Sequence, residues 1–228
     1  MFVHLKITRY PAWLGWAGML SMAIFRLPLW LNTQTKFWKL MGCGRKGSFD
    51  KTPDWRQWAL LTASETPDYP WPGFLTAWWR FFGTESWTLT LVPIEGHGTW
   101  DGKKVFGDLP RKTEHQGPIA ILTRASIRWQ KLNRFWQHVD PVAQQMASAE
   151  GFVTSVGIGE LPWIQQATFS IWRSKDDMKK FAYQMPQHAD VVRKTHAENW
   201  YKEEMFVRFQ LVKSQGSLRG ILPFEIKP

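Results

Sequence analysis

The stretch Ile7-Thr8-Arg9 near the start of the chain is echoed by Leu122-Thr123-Arg124 in the second half. Gly42-Cys43-Gly44 is echoed in the same way by Gly157-Ile158-Gly159. Both echoes are separated by 115 residues, from Thr8 to Thr123 and from Gly42 to Gly157, which is about half of the 228-residue chain. This common spacing indicates one structural unit used twice. A duplicated unit contains an internal interface, where ligand pockets tend to form.

The apolar pattern around the echoes predicts the same order of elements in each half. The first half is predicted to contain strands at 2–8, 37–41, 58–63 and 86–94, a very apolar helix at 12–31 and a short helix at 73–82. The second half is predicted to contain strands at 118–125, 152–158, 165–172 and 205–212, and helices at 131–147, 174–183 and 188–199. Pro141 is expected to kink or break the first of these helices.

Each half therefore has the ferredoxin-like order βαββαβ. We predict an α+β fold in which two tandem ferredoxin-like units form a dimeric-type α+β barrel within one chain, with the helices outside. The predicted divisions are a first unit at 1–95, a linker at 96–117, a second unit at 118–213 and an irregular tail at 214–228. Together they are expected to make one compact barrel.

Composition narrows the classes of partner. Sixteen Trp and fifteen Phe exceed what an ordinary core requires, so either abundant core packing or an aromatic-walled pocket for a large flat or polyene ligand is indicated.

The chain has a net charge of +10 and contains no nucleic-acid-binding motif, which favours contact with a membrane surface. Residues 12–31 are read as buried or lying on such a surface, with a membrane-spanning helix as the alternative. Cys43 is the only cysteine, which fits a reducing compartment and a cytoplasmic location, with peripheral contact to the inner membrane left open.

No Ser nucleophile elbow, P-loop, complete dinucleotide-binding glycine motif or HExxH is present. Among the histidines, His4 is read as a hydrogen-bonded core residue, and His97 and His115 as solvated linker residues. His188 and His196 share a predicted helix, but their separation of eight residues prevents them from chelating one ion together. One of them alone would suit an axial ligand to haem iron.

Several motifs, taken in order, resemble one enzyme family. In the second half these are Gly157-Ile158-Gly159-Glu160-Leu161-Pro162-Trp163, Gln166 to Trp172 (QATFSIW), His188-Ala189-Asp190 and Glu198 to Glu204 (ENWYKEE). Phe37 to Leu40 (FWKL), Glu85-Ser86-Trp87-Thr88 and Ile121 to Ala125 (ILTRA) add to them. Their order and spacing over residues 2–212 are similar to the spheroidene monooxygenase family of carotenoid biosynthesis.

The resemblance implies a haem b enzyme that uses O2 to introduce a keto group on an acyclic carotenoid. Two hydroxylations of one methylene carbon would give a geminal diol, which loses water to a ketone. The partners implied are an apolar polyene substrate and an external electron donor, either a ferredoxin or a reductase. No nucleic-acid partner is expected, and a homodimer is open.

Site residues follow from the same resemblance. His188 is the predicted axial ligand of the iron, and Trp172, Phe181 and Trp200 are candidate walls for the porphyrin, with core packing as the alternative. Arg124 is the predicted catalytic residue, as an oxygen-side donor or a propionate partner, and Arg193 is a second propionate candidate. Cys43 as a thiolate ligand is the rival to His188.

Two other functions remain open from the sequence. One keeps the haem barrel but performs different chemistry, such as a dehydratase or peroxidase reaction on a smaller substrate. The other is a non-enzymatic carrier of haem or an apolar ligand.

Overall fold

The computed structural model describes residues 1–45, 50–220 and 223–225. Within this part, the side chains of residues 184, 186–189 and 196 are not described. By its contacts the chain divides into two units, the first comprising 1–43, 53–93 and 211–228, and the second comprising 44–52 and 94–210.

The first half contains four strands and three helices in the order βααββαβ. They are β1 (Phe2–Arg9), α1 (Gly15–Ile24), α2 (Arg26–Leu31), β2 (Phe37–Gly44), β3 (Pro53–Ser64), α3 (Gly73–Phe82) and β4 (Glu85–Gly98). A short 3-10 turn, Ala12–Leu14, precedes α1. Antiparallel pairing joins β1 to β3 and to β4.

The second half has the order βαββααβ, in which the first helical segment is one helix and the last is divided into two. Its elements are β5 (Ile119–Ile127), α4 (Leu132–Ala147), β6 (Phe152–Leu161), β7 (Gln165–Trp172), α5 (Lys175–Lys179), α6 (Pro186–Ala197) and β8 (Tyr201–Gly216). A π-helical segment, Lys180–Gln184, joins α5 to α6. Antiparallel pairing joins β5 to β7 and β8, and β6 to β7.

The hydrogen-bonded strand order is β1-β3-β2-β6-β7-β5-β8-β4, and it closes into a barrel. The predicted α+β class and the predicted barrel of two βαββαβ units in one chain are therefore confirmed.

Alternation of side chains along β5 sets up the second unit. Ile119, Ile121, Ala125 and Ile127 belong to apolar clusters that include residues of α4, α5 and the π-helical segment, so this face of the strand is directed at the helices. Neighbouring residues of a strand point to opposite faces. Arg124 therefore lies on the face turned away from the helices, whereas Thr123 lies on the helical face.

Local signals explain how the last helical segment begins and ends. Ser174 caps α5 by accepting a hydrogen bond from the Asp177 N–H at 3.0 Å, as its position before two acidic residues predicts. Asn199 has a φ of 54°, a left-handed conformation that asparagine tolerates, and it follows the end of α6. The turn at Asn199 leads directly into Trp200 and β8.

Several predicted boundaries were wrong. The strands β3, β4 and β8 are longer than predicted, because antiparallel pairing continues beyond their apolar cores. The 12–31 segment is two helices that meet at Phe25 and not one. The helix α4 continues through Pro141 without a break; Val139 and Met146 are buried on either side of the proline, and this packing offsets the lost hydrogen bond.

Candidate functional site

The two echoed threonines have different surroundings. Thr8, on β1, is 3% exposed. It lies under α3, where Gly83 packs so closely that an added Cβ would come within 3.2 Å of the Thr8 methyl group. Thr123, at the equivalent position of β5, is exposed although it lies in the middle of a strand. The first copy is thus covered at this position, and the second copy is open.

Aromatic and cationic side chains fill the first copy. The Lys6 ammonium lies 4.7 Å from the centroid of the Trp79 ring on α3. It donates hydrogen bonds to Ser86 Oγ at 3.2 Å and Thr88 Oγ1 at 3.3 Å. Burial lowers the pKa of Lys6 to about 8. Only a small pocket remains beside it, lined in part by Thr8 and Tyr10.

In the second copy, the helices cover both ends of β5 and leave its middle open. Ile121 and Ala125 are buried on either side of the exposed Thr123 on the same face. In register with Thr123 stand Thr168 on β7 and Phe206 on β8. We call this position, with Thr123 at its centre, the β5 opening.

The Thr168 hydroxyl lies next to the β5 opening and is unsatisfied. Its Oγ1 is buried and has no hydrogen-bond partner among the described residues. Thr168 is in register with Gly157 on β6, which has no side chain of its own. An orphaned buried hydroxyl costs free energy unless a ligand or water satisfies it.

Two aromatic clusters bracket the β5 opening along the strand. The cluster at one end contains Trp172 and Phe181, whose ring centroids are 5.2 Å apart, packed with Ile119, Ile121, Met146 and Met178. The cluster at the other end contains Trp200, packed with Ala125, Ile127, Phe135, Trp136 and Val139. The structure brings Trp172 and Phe181 together and places Trp200 apart from them. All three are buried in protein contacts.

The helix α6 carries the predicted iron ligand. The side chains of His188 and His196 lie outside the described part of the structure. Val191, three residues after position 188, packs against the Trp200 cluster. The described part of α6 therefore contacts this cluster through Val191.

A cation near the β5 opening was missed by sequence reasoning. Arg208, on β8 opposite Ile121, lies with its guanidinium 4.7 Å from the Phe206 ring centroid. It pairs with the buried Glu95, which also binds Lys175 at 2.5 Å. Arg208 Nε is buried without a partner among the described residues.

Arg124 is not brought together with the other predicted site residues. On the opposite face of β5, its guanidinium contacts Glu203 at 2.7 Å and Glu160 and Asp101 at 3.4 Å each. It also lies 5.0 Å from the centroid of the Trp100 ring. Three carboxylates surround this buried cation, an arrangement that suits it to hold the Trp100 segment in place.

Glu203 is the most strongly held of these carboxylates. Burial by itself would raise its pKa, but hydrogen bonds from the Gly102 N–H, the Thr99 hydroxyl and Arg124 hold the pKa of Glu203 at about 2. Glu203 therefore ties β8 to the 99–102 segment as well as to β5.

The remaining candidates lie at the surface or in the first unit. Arg193 is solvent-exposed and pairs with Asp190 at 2.5 Å.

Burial raises the pKa of Cys43 to about 12, so its thiol is neutral at pH 7. A neutral thiol does not favour Cys43 as the thiolate ligand of haem iron. His4 is buried and within 3.1 Å of Ser64 Oγ, which confirms that it is a hydrogen-bonded core residue. His97 is exposed and stacks on Phe206, with ring centroids 5.8 Å apart.

Comparison with known proteins gives a consistent result. No family model matches the chain. The spheroidene monooxygenase of Rhodobacter capsulatus is 33% identical over 220 residues, which cover 91% of this chain and 88% of that protein. The spheroidene monooxygenase of Rubrivivax gelatinosus is 31% identical, covering 81% and 72%. The spheroidene monooxygenase of Cereibacter sphaeroides is 33% identical over 88% of this chain. The match covers only 63% of the length of that protein.

Solved structures agree on the fold. Aldoxime dehydratase in complex with butyraldoxime has a TM-score of 0.58 at 9% identity, covering 92% of this chain and 79% of that chain. A second aldoxime dehydratase structure has a TM-score of 0.53, also at 9% identity, covering 92% and 80%. At this identity the likeness concerns the barrel fold alone.

The carboxylate cage predicts how Arg124→Met affects stability. We expect a loss of about 3 kcal/mol in the free energy of unfolding at pH 7, because the two half-buried carboxylates, Glu160 and Glu203, lose the buried cation that they contact. Glu203 is charged in the folded state above its pKa of about 2 and in the unfolded state above its ordinary value of about 4.3. The loss should therefore be full above about pH 4.5 and shrink as pH falls toward 2. Urea unfolding at a series of pH values measures it.

Arg193→Met is the matched control, because its ion pair with Asp190 is exposed and should contribute little. An Arg124→Met variant as stable as the unaltered protein, or a loss that does not change with pH, would contradict the role given to the cage.

Proposed function

The chain belongs to the spheroidene monooxygenase family, and from this premise we propose that it is a haem-dependent monooxygenase that introduces a keto group on an acyclic carotenoid. The observation that carries the proposal is the β5 opening. It lies in the second unit, beside α6, in the half that bears His188. In the first copy of the same motif, the equivalent residue Thr8 is buried.

The described residues around the β5 opening fit a group such as haem. Haem is flat and largely apolar, and carries two carboxylates. The β5 opening exposes one threonine between two aromatic clusters, which matches a flat apolar body. The buried Nε of Arg208, which has no partner among the described residues, matches a carboxylate. The unsatisfied Thr168 hydroxyl provides a polar contact on the sheet side.

We propose His188 as the residue that holds the iron. The His188-Ala189 motif, which resembles that of the family, supports this choice over His196, which is eight residues along the helix. One imidazole is sufficient as an axial ligand, so a cluster of metal ligands is not required. Bound haem would supply the activation of O2.

The chain's own residues would position and shield the substrate. The hydroxyls of Thr123 and Thr168 face the β5 opening from the sheet and are placed to donate hydrogen bonds to an oxygen atom there. The Trp172–Phe181 pair and Trp200 would exclude water at either end, as candidate walls of the site. Arg208 takes the carboxylate-binding role first considered for Arg124 and Arg193.

The overall reaction balances with an external donor. Each hydroxylation of a methylene group consumes one O2, two electrons and two protons, and releases one water. A second hydroxylation of the same carbon gives a geminal diol, which loses water to leave the ketone. A separate ferredoxin or reductase would deliver the four electrons.

The ligand assignment predicts the spectra of two variants. His188→Ala should lose the Soret band of bound haem, whereas His196→Ala should retain it, because only position 188 is assigned to the iron. Absorbance of the purified proteins measures this, and circular dichroism shows whether each variant is folded. A folded His188→Ala protein with an unchanged Soret band would overturn the assignment.

The activity is tested by expression in a host that accumulates an acyclic carotenoid. We expect a red-shifted pigment whose mass is greater by one oxygen and smaller by two hydrogens, because a ketone extends the conjugated system. Extraction and mass spectrometry identify it. Unchanged pigment in cells that contain the haem-loaded protein would contradict the monooxygenase proposal and favour other haem chemistry or a carrier.

A further inference from the structure

The helices of the first unit are apolar on every side, but protein covers only one of their faces. Ala12–Leu31 is, among the described residues, long and apolar enough to cross a membrane by length and composition. Residues spaced along one stripe of it, including Leu14, Ala17, Phe25 and Leu29, are buried. A helix that is apolar all round requires an apolar environment on its other face too.

That other face is rich in exposed aromatic side chains. Trp13 is 76% exposed, Trp30 is 74% exposed and Phe81 on α3 is 80% exposed. Trp16 and Phe81 both pack against Phe82, so the exposed residues of α1 and α3 adjoin. We call this surface the outer face; it comprises Trp13, Trp16, Leu27, Trp30, Phe74 and Phe81.

The chain segment that forms most of the outer face carries charge of a single sign. Residues 1–49 contain no Asp or Glu, whereas they contain seven cations: Lys6, Arg9, Arg26, Lys36, Lys39, Arg45 and Lys46. Arg26 between α1 and α2, Lys36 before β2 and Arg80 on α3 are exposed. Exposed Trp and Phe next to Arg and Lys, without acids, is the composition of a surface that lies in the headgroup region of an anionic bilayer.

We infer that the outer face docks this protein on the surface of a bilayer that contains anionic phospholipids. The aromatic rings insert at the level of the headgroups, and Arg26, Lys36 and Arg80 contact lipid phosphates. In this inference α1 and α2 lie on the bilayer and do not cross it, because one stripe of both is packed on the protein. This inference does not depend on the reaction that the second unit performs.

Vesicle flotation with the full chain tests the inference. The probes are vesicles of phosphatidylcholine alone and vesicles that also contain phosphatidylglycerol. The protein should float with the anionic vesicles, float less with the neutral ones, and be released in part by high salt because the charge contribution is screened.

The variant that removes the docking side chains is the triple substitution Trp13→Gln, Trp30→Gln and Phe81→Gln. We expect binding to anionic vesicles to fall about tenfold or more, because three large aromatic contacts are lost. The fold should survive, because all three side chains are exposed. The matched control is Trp129→Gln with Tyr183→Gln, which removes aromatic side chains that are 74% and 70% exposed in the second unit, and it should bind like the unaltered chain.

Four results would overturn the inference. The unaltered protein would fail to float with either vesicle, or the triple variant would bind as well as the control. Resistance to extraction by high salt and alkali would indicate a membrane-spanning helix instead. A dimer in sedimentation experiments without vesicles that the triple variant converts to a monomer would show that a second copy covers the outer face.

Discussion

The alternation of side chains along β5 is the constraint from which the arrangement of the second unit follows. Adjacent residues of a strand face opposite sides of the sheet. Arg124 is therefore directed away from the helices and is held by Glu203, Glu160 and Asp101. Thr123, one residue earlier, is directed at the helices and remains exposed. The two adjacent residues of this motif thus have different roles. Arg124 contacts the carboxylates that hold the 99–102 segment, and Thr123 is the exposed residue at the centre of the β5 opening.

The same motif shows how the two copies have diverged. In the first copy, α3 supplies Trp79 above Lys6 and closes the position of Thr8. In the second, the helical cover forms two aromatic clusters, and Thr123, which lies between them along β5, is exposed. The first copy has instead an outer face of exposed Trp and Phe on its helices. The two copies therefore differ both in the cover of this strand position and in the surface of their helices.

The sequence predicts the order of the elements because apolar periodicity is local. The 115-residue echo predicts the duplication, and Ser174 predicts the cap of α5 from residues close in the chain. The ends of β3, β4 and β8 could not be predicted, because pairing with a distant strand decides where each one stops. The carboxylates that contact Arg124 and Arg208 lie far away in the sequence. The residues next to each arginine in the sequence therefore do not tell whether its guanidinium is held by the protein or left to bind a ligand. The exposure of Thr123 could be suspected from its echo with Thr8, but only packing shows which copy is open.

The central claim is that the β5 opening receives the cofactor, and haem titration of a Thr123→Phe variant tests it most directly. A phenylalanine fills the space without displacing a buried side chain, because Thr123 is exposed. Lys202→Phe, at an exposed position on β8, is the control for adding an aromatic ring to the sheet. The account predicts that the unaltered protein and Lys202→Phe develop the Soret band of bound haem, and that folded Thr123→Phe develops little or none. Normal haem binding by Thr123→Phe would contradict it.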